Sequence, residues 1–217
     1  MKITKLTTQE RNVERVNMFL DDVFACGLSL NTVAKFNLYV GKDIDSEEYT
    51  EILHHDLTER VFNRAITYLT RSVKSEKQIR TYLSSLLFKK KGDWFKELSK
   101  EAQKEIVEDT MEKLKSYSYI NDEEFAEQFI LSRLKSKPRG KYILLSELIS
   151  KGISKEIVEK KLEELVEDEY DILKRVYEKK YGETKITKED RKKIDFLLRK
   201  GFTILPSGSL TLPKLLT

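Results

Sequence analysis

The chain has 217 residues, of which 39% are hydrophobic and 36% are charged. This balance supplies only thin hydrophobic cores, so it favours several small bundles with charged outer faces over one large globule. Only 3 prolines and 8 glycines interrupt the chain, which allows long helices. No stretch approaches the run of about 18 apolar residues that a membrane-spanning helix needs.

The distribution of charge and the number of cysteines indicate the kind of partner and the cellular compartment. Residues 1–56 carry 6 basic and 10 acidic side chains, residues 57–134 carry 15 and 13, and residues 135–217 carry 20 and 14. The basic excess in the last part is compatible with an anionic partner, or with a solvated helical surface rich in Lys and Glu. A single cysteine and an N-terminus without a signal-peptide pattern predict a cytoplasmic protein.

Residues 1–44 predict a small antiparallel β-sheet with a short helix. Two β-prone segments, Arg15–Leu20 and Val23–Gly27, flank two turn-forming aspartates, which is a hairpin pattern. A further strand is predicted at Ile3–Thr7. Because a sheet of this size is marginal alone, we expect helix Ser29–Phe36 to pack on it.

Helical periodicity dominates after residue 44, and we divide it into three units. The first, 45–118, opens with an apolar stripe at spacings of three and four behind Ser46, the expected N-cap. Ser75 and Gln78 have the spacing of a capping box, which predicts the start of its second helix.

The remaining units are residues 119–167 and 168–217. The second opens at Asn121, an N-cap residue followed by three acidic side chains. The tail 203–217 contains two prolines and a Ser-Gly-Ser run, which disfavour a helix. The C-terminal helix of the third unit is therefore expected to be missing or irregular.

An internal repeat links the last two units. Glu147–Ser154 (ELISKGIS) aligns with Phe196–Thr203 (FLLRKGFT) at an offset of 49 residues. Both segments have the pattern of a helix closed by a left-handed glycine, an apolar anchor and a new N-cap. The alternative is chance similarity of two helix ends. The repeat predicts a mainly α protein, with tandem three-helix bundles in an elongated, curved array after the N-terminal β-sheet module.

Four sets of residues, spread over most of the chain, carry a resemblance: Ser75–Leu83, Tyr119–Ala126, Pro138–Gly140 with Lys151-Gly152, and Leu197–Phe202. In their order and spacing they resemble the RecX family of regulators of the bacterial RecA recombinase. Two features depart from the family pattern. Phe88–Phe95 is longer and more basic than the family's first-unit turn, and the tail lacks a helical pattern.

The resemblance implies a regulator of RecA that acts mainly as an inhibitor. It implies binding in the groove of the RecA filament on single-stranded DNA, with suppression of ATP hydrolysis and strand exchange. We expect a monomer that contacts single-stranded DNA directly or through the filament, without a membrane, a cofactor or an activity of its own. The alternative is a helical DNA-binding transcriptional regulator, because three-helix units can carry helix-turn-helix readers.

The residues themselves predict no enzyme. His54 and His55 are adjacent on a predicted helix and point about 100° apart, so they cannot readily share a metal. Cys26 has no CxxC partner and is expected to fill a small apolar space on a strand. No phosphate-binding glycine motif occurs.

Basic side chains carry the predicted binding site, because each phosphate that they neutralise releases counterions. The residues expected to contact the filament or DNA are Arg71, Lys74, Lys77, Arg80, Arg133, Lys135, Lys137, Arg139, Lys141, Lys151, Arg199 and Lys200. Cations near helix ends, such as Arg199 and Lys200, also complement the helix dipole. Further basic runs are at Lys89–Lys91 and Lys188–Lys193. Four tyrosines are candidates for base stacking, although packing is the expected role of most of them: Tyr82, Tyr117, Tyr119 and Tyr142.

Overall fold

The structure is a computed structural model that describes residues 1–88, 99–184 and 190–202. Lys89–Lys91, Lys188 and the tail 203–217, for which the sequence makes predictions, lie outside the described residues. The chain forms two compact units. The first comprises residues 1–72 with 82–119, and the second comprises residues 73–81 with the chain from residue 120.

The first unit begins with a three-stranded antiparallel sheet in the order β1-β2-β3. Its strands are β1 (Ile3–Gln9), β2 (Asn12–Leu20) and β3 (Val23–Ser29). The two aspartates between β2 and β3 have φ values of 49° and 67°, as a two-residue hairpin turn requires. The predicted hairpin and the third strand are therefore confirmed.

Helices complete the core of the first unit. They are α1 (Leu30–Lys35), α2 (Ser46–Leu69), the end of α3 (Glu76–Phe88), and α4 (Lys100–Ser116), which packs along α2. Ile52 of α2 lies fully buried against one face of the sheet, in a cluster with Ile3, Met18, Leu20, Leu28, Leu38 and Ile44.

The expected N-cap of α2 is wrong by one residue. Asp45, and not Ser46, has the extended backbone of a cap, and its carboxylate accepts the amide of Glu48 at 2.8 Å. A carboxylate at this position also complements the positive end of the helix dipole. The capping box of α3 is confirmed, because Ser75 Oγ accepts the Gln78 amide at 3.3 Å and Gln78 Oε1 accepts the Ser75 amide at 3.1 Å.

The second unit contains the start of α3 and five further helices. They are α5 (Asp122–Ser136), α6 (Lys141–Ser150), α7 (Lys155–Leu165), α8 (Glu169–Tyr181) and α9 (Arg191–Arg199). Their buried faces form one hydrophobic cluster, which includes Phe125, Ile130, Leu144, Leu148, Leu162, Leu173, Tyr177, Leu197 and Phe202. The predicted class, mainly α with a small N-terminal antiparallel sheet, is confirmed. The boundaries 1–44, 45–118, 119–167 and 168–217 stay predictions, as does the elongated, curved array.

The internal repeat corresponds to two helix ends with the same geometry. Gly152 and Gly201 have φ values of 92° and 88°. The amides of Ile153 and Phe202, which follow them, donate to the carbonyls of Leu148 and Leu197, both at 3.2 Å. This bond from five residues back is the helix ending that a left-handed glycine makes possible. Both apolar anchors are buried.

Candidate nucleic-acid interface

Each Lys-Gly turn docks on the start of a helix that lies earlier in the chain. The hydroxyl of Ser75, the N-cap of α3, donates to the carbonyl oxygen of Lys151 at 2.7 Å. The amide of Gly140, the N-cap of α6, donates to the carbonyl oxygen of Lys200 at 2.8 Å. We call each docked pair of turn and helix start a joint. The repeat in sequence is therefore also a repeat in how the helices connect.

A carboxylate completes each joint. The amide of Glu76, the first residue of α3, donates to Asp122 Oδ1 at 2.9 Å. The amide of Lys141, the first residue of α6, donates to Glu169 Oε1 at 2.6 Å. Asp122 and Glu169 are the first residues of α5 and α8. Both carboxylates satisfy helix amides that have no partner within their own helix.

Glycine is required at the joint of α6 because two backbones touch there. A Cβ atom at Gly140 would lie 2.2 Å from the carbonyl oxygen of Gly201. A Cβ atom at Gly201 would lie 2.7 Å from Cγ1 of Ile143. This close approach fixes Arg139, which precedes Gly140, beside the Lys200 turn.

Four cations meet at this joint: Lys137, Arg139, Lys180 and Lys200, which we call the α6 cluster. The pKa of Lys200 lies below its usual value, first because of partial burial and then because of Arg139, Lys180 and Lys137. Nζ of Lys180 lies 3.8 Å from the ring centre of Phe196, and Nζ of Lys200 lies 5.5 Å from it. The ring face offsets part of the repulsion between the two ammonium groups.

The α6 cluster keeps an excess of positive charge, because the one described carboxylate at this joint, Glu169, accepts the Lys141 amide and is outnumbered by four cations. Within the described part of the chain, none of the four side chains forms an ion pair with a carboxylate. An arrangement of this kind attracts anions, and phosphate groups are the anions that Arg and Lys bind best. Three of its members are among the residues predicted from the sequence, and Lys180 is not.

A second basic group surrounds Phe129 on α5. The guanidinium of Arg133 lies 4.8 Å from the ring centre and Nζ of Lys151 lies 5.4 Å from it. Nε of Arg133 also donates to Glu147 Oε2 at 2.9 Å. This ion pair halves the net charge of the group, so its attraction for phosphate is weaker than that of the α6 cluster.

Other predicted residues have structural roles at the joint of α3. The stem of Lys77 fills the space beside Gly152, and its Nζ donates to the carbonyl of Ser150 at 3.2 Å. Arg80 forms an ion pair with Glu76 at 3.3 Å. The remaining predicted residues are half-buried (Lys74 and Lys141) or exposed (Arg71, Lys135 and Arg199).

Three of the candidate tyrosines lie largely on the surface. Tyr117, Tyr119 and Tyr142 have exposed fractions of 60%, 51% and 66%. Tyr117 and Tyr119 pack at the rim, because their ring centres lie 6.0 and 6.4 Å from that of Phe62. Tyr82 does pack, since its ring stacks on Tyr68 with centres 4.1 Å apart.

The histidines and the cysteine lie outside these groups. His54 lies 3.6 Å from Asp109, whereas His55 contacts Thr32. No group of three or more His, Cys, Asp or Glu residues in the described ranges has the geometry of a metal site. Burial raises the pKa of Cys26 to about 12, which keeps the thiol protonated and unreactive at neutral pH.

Comparison with known proteins identifies the family. The family model described as the regulatory protein RecX N-terminal domain matches residues 1–45, and the RecX second three-helix domain matches residues 121–162. The protein named regulatory protein RecX of Bacillus velezensis is 32% identical over 204 residues, which are 92% of this chain and 72% of that protein. The chain belongs to the RecX family.

Other RecX proteins extend the comparison. The RecX protein of Bacillus subtilis is 31% identical over 160 residues, which span 74% of this chain but only 55% of that protein. A crystal structure of regulatory protein RecX has the same fold, with a TM-score of 0.70, 22% identity, and coverage of 93% of this chain and 94% of that one. The RecX structure from Lactobacillus salivarius gives a TM-score of 0.53 at 23% identity, covering 69% and 90%. No helix in the described ranges has the length and apolar character to cross a bilayer.

Proposed function

We propose that this RecX-family chain is a cytoplasmic regulator of the RecA recombinase that acts mainly as an inhibitor. It binds, as a monomer, in the groove of the RecA filament on single-stranded DNA and suppresses ATP hydrolysis and strand exchange. The observation that carries the proposal is the α6 cluster, where Arg139 and Lys200 are held together with two further lysines and form no ion pair with a described carboxylate.

The physical basis is the release of counterions from DNA phosphates. Each phosphate of single-stranded DNA that a cation neutralises contributes a slope of about −0.7 to the dependence of log K on log salt. Four cations at one joint can contact adjacent phosphates along a short stretch of the DNA backbone. The joint holds the main chain at Arg139 and Lys200 in place before binding, so less conformational entropy is lost on contact.

The weaker basic groups add to this contact. Arg133 and Lys151, which surround Phe129, lie in the same unit as the α6 cluster. Exposed Lys135 lies near the C-terminal end of α5, and exposed Arg199 is the last residue of α9. Several modest contacts on one chain raise the effective concentration of each, so the total affinity exceeds that of any single contact. Inhibition follows because an occupied groove obstructs the incoming duplex and the movements of RecA subunits during ATP turnover.

The test follows ATP hydrolysis by RecA on single-stranded DNA with increasing amounts of the chain. The wild-type chain is expected to lower the rate and to co-sediment with the filament. The variant Lys137→Glu/Lys180→Glu is expected to need about tenfold more protein for the same inhibition, since two favourable charges become repulsive. The matched control is Lys104→Glu/Lys179→Glu, which changes the net charge equally at exposed lysines outside the cluster.

Three outcomes would contradict the proposal or part of it. The absence of any effect of the wild-type chain on filaments at moderate salt would remove the regulatory role. Sequence-specific binding to a DNA duplex without RecA would instead support the transcriptional regulator. Equal inhibition by Lys137→Glu/Lys180→Glu and Lys104→Glu/Lys179→Glu would show that the α6 cluster is not part of the interface.

A further inference from the structure

A separate concentration of positive charge lies in the first unit, between β2 and α2. An open pocket of ≈ 410 Å³ is lined by Arg15, Arg60, Asn63, Arg64 and Thr67. Three guanidinium groups, one amide and one hydroxyl therefore face a single space. The three arginines and Asn63 have hydrogen-bond donors at this space, whereas the Thr67 hydroxyl donates to the carbonyl oxygen of Asn63 at 3.0 Å. None of these residues belongs to the α6 cluster.

A buried carboxylate positions two of the arginines. Asp56 is 3% exposed, and its Oδ2 accepts Nε of Arg60 at 2.8 Å and a terminal nitrogen of Arg15 at 3.1 Å. Its Oδ1 accepts the amide of Ser29 at 2.6 Å. Both arginines also donate to the carbonyl oxygen of Gly27. The two side chains are thus held in place before any ligand arrives, which reduces the entropy lost on binding.

The pocket retains a positive excess after this pairing. Three guanidinium groups lie near one carboxylate, that of Asp56. Its oxygens already accept hydrogen bonds from Arg15, Arg60, the Ser29 amide and the Thr32 hydroxyl. Arg64 lies one helical turn beyond Arg60, is exposed, and forms no ion pair with a described residue. Guanidinium groups donate in a planar fork that matches two oxygens of a phosphate.

The size and surroundings of the pocket limit the ligand. The lining contains no aromatic side chain on which a base would stack. A compact phosphate ligand stays within reach of the arginines that line this space.

We propose that this pocket binds the phosphate groups of a small phosphorylated ligand, such as pyrophosphate or the phosphate end of a nucleoside polyphosphate. Arg15 and Arg60 form the fixed base of the site, and Arg64 closes it from α2. The amide of Asn63 donates to a remaining oxygen. This binding is independent of the proposed contact between the α6 cluster and the filament.

Isothermal titration calorimetry of the full chain with inorganic pyrophosphate tests the site. The background is Lys137→Glu/Lys180→Glu, so that the α6 cluster contributes no binding. The site is expected to bind pyrophosphate, and adding Arg64→Ala is expected to weaken that binding by about tenfold through loss of a bidentate charged contact. The control Arg11→Ala removes another exposed arginine of the same unit that does not line the pocket, so it leaves the affinity unchanged.

Competition experiments show which phosphorylated ligands the pocket binds. ATP is expected to compete with pyrophosphate, and inorganic phosphate is expected to compete more weakly. The proposal is overturned if pyrophosphate does not bind at millimolar concentration, or if Arg64→Ala binds as tightly as its parent. It is also overturned if a single-stranded oligonucleotide or a glutamate-rich peptide displaces pyrophosphate at lower concentration than ATP does, since the pocket would then serve a macromolecule.

Discussion

Replacing Gly201 by alanine tests whether the Lys-Gly turn docks tightly on α6. The φ value of 88° at Gly201 is unfavourable for alanine, which costs about 1–2 kcal/mol. The added Cβ would lie 2.7–3.0 Å from Cγ1, Cβ and the amide nitrogen of Ile143. Crowding of this kind in a packed region costs about 1–3 kcal/mol more. The free energy of unfolding of the second unit is therefore expected to fall by about 2–5 kcal/mol.

The chain offers two matched controls for this substitution. Gly182 has φ 69° and ψ −161°, a conformation that is nearly exclusive to glycine, and nothing lies within 4 Å of an added Cβ. Gly182→Ala therefore carries a backbone strain of its own without the clash. Gly140 has φ −69°, which alanine adopts readily, but its Cβ would meet the Gly201 carbonyl. Gly140→Ala carries the clash without the strain, so this variant isolates the packing contribution.

Urea unfolding followed by far-ultraviolet circular dichroism measures these free energies. Hydrogen exchange at the amides of Gly140 and Lys141 localises the effect, because both donate across the joint. Faster exchange at these two amides is expected in Gly201→Ala and not in Gly182→Ala. Equal losses of stability in the two variants, with unchanged exchange, would refute the reasoning.

Three further predictions concern single buried groups. Burial raises the pKa of Glu169, so the folded state holds its proton more tightly than the unfolded state. Stability from this group is then lost as pH rises from the ordinary glutamate pKa of 4.5 through the raised pKa of the folded state. Urea titrations between pH 4 and pH 7 should show this loss in the wild-type chain and not in Glu169→Gln. Asp56→Ala removes the carboxylate between Arg15 and Arg60, so the free energy of unfolding of the first unit should fall by about 3 kcal/mol. An unchanged melting temperature would contradict a stabilising role for the ion pairs of Asp56 with the two arginines. Cys26, with a pKa raised to about 12, should react with a thiol reagent at pH 8 at least about a hundredfold more slowly than a free thiol, and reaction at the free-thiol rate would show that it is exposed.

The fold could be predicted where the determining signals are local. The glycine endings at Gly152 and Gly201, the capping box at Ser75 and the hairpin turn each depend on a few neighbouring residues. The difference between Asp45 and Ser46 as N-cap could not be decided, because both are good capping residues and only the backbone conformation separates them.

The binding sites depend on long-range contacts, so the sequence revealed only their parts. Arg139 and Lys200 were both predicted, but nothing in the sequence places them at one joint. Lys180 was missed because it lies on α8, outside the basic segments that the sequence analysis singles out. Arg60 and Arg64 carry a detectable signal, a spacing of four on one helix, whereas Arg15 joins them from a strand 45 residues earlier.

The most direct test of the account is the salt dependence of binding to RecA filaments on single-stranded DNA. Affinity is measured across a series of salt concentrations for the wild-type chain and for Lys137→Glu/Lys180→Glu. If the α6 cluster contacts DNA phosphates, the slope of log K against log salt becomes shallower by about 1.4, the contribution of two phosphates. An identical slope and affinity for both proteins would contradict the claim that this cluster contacts the filament.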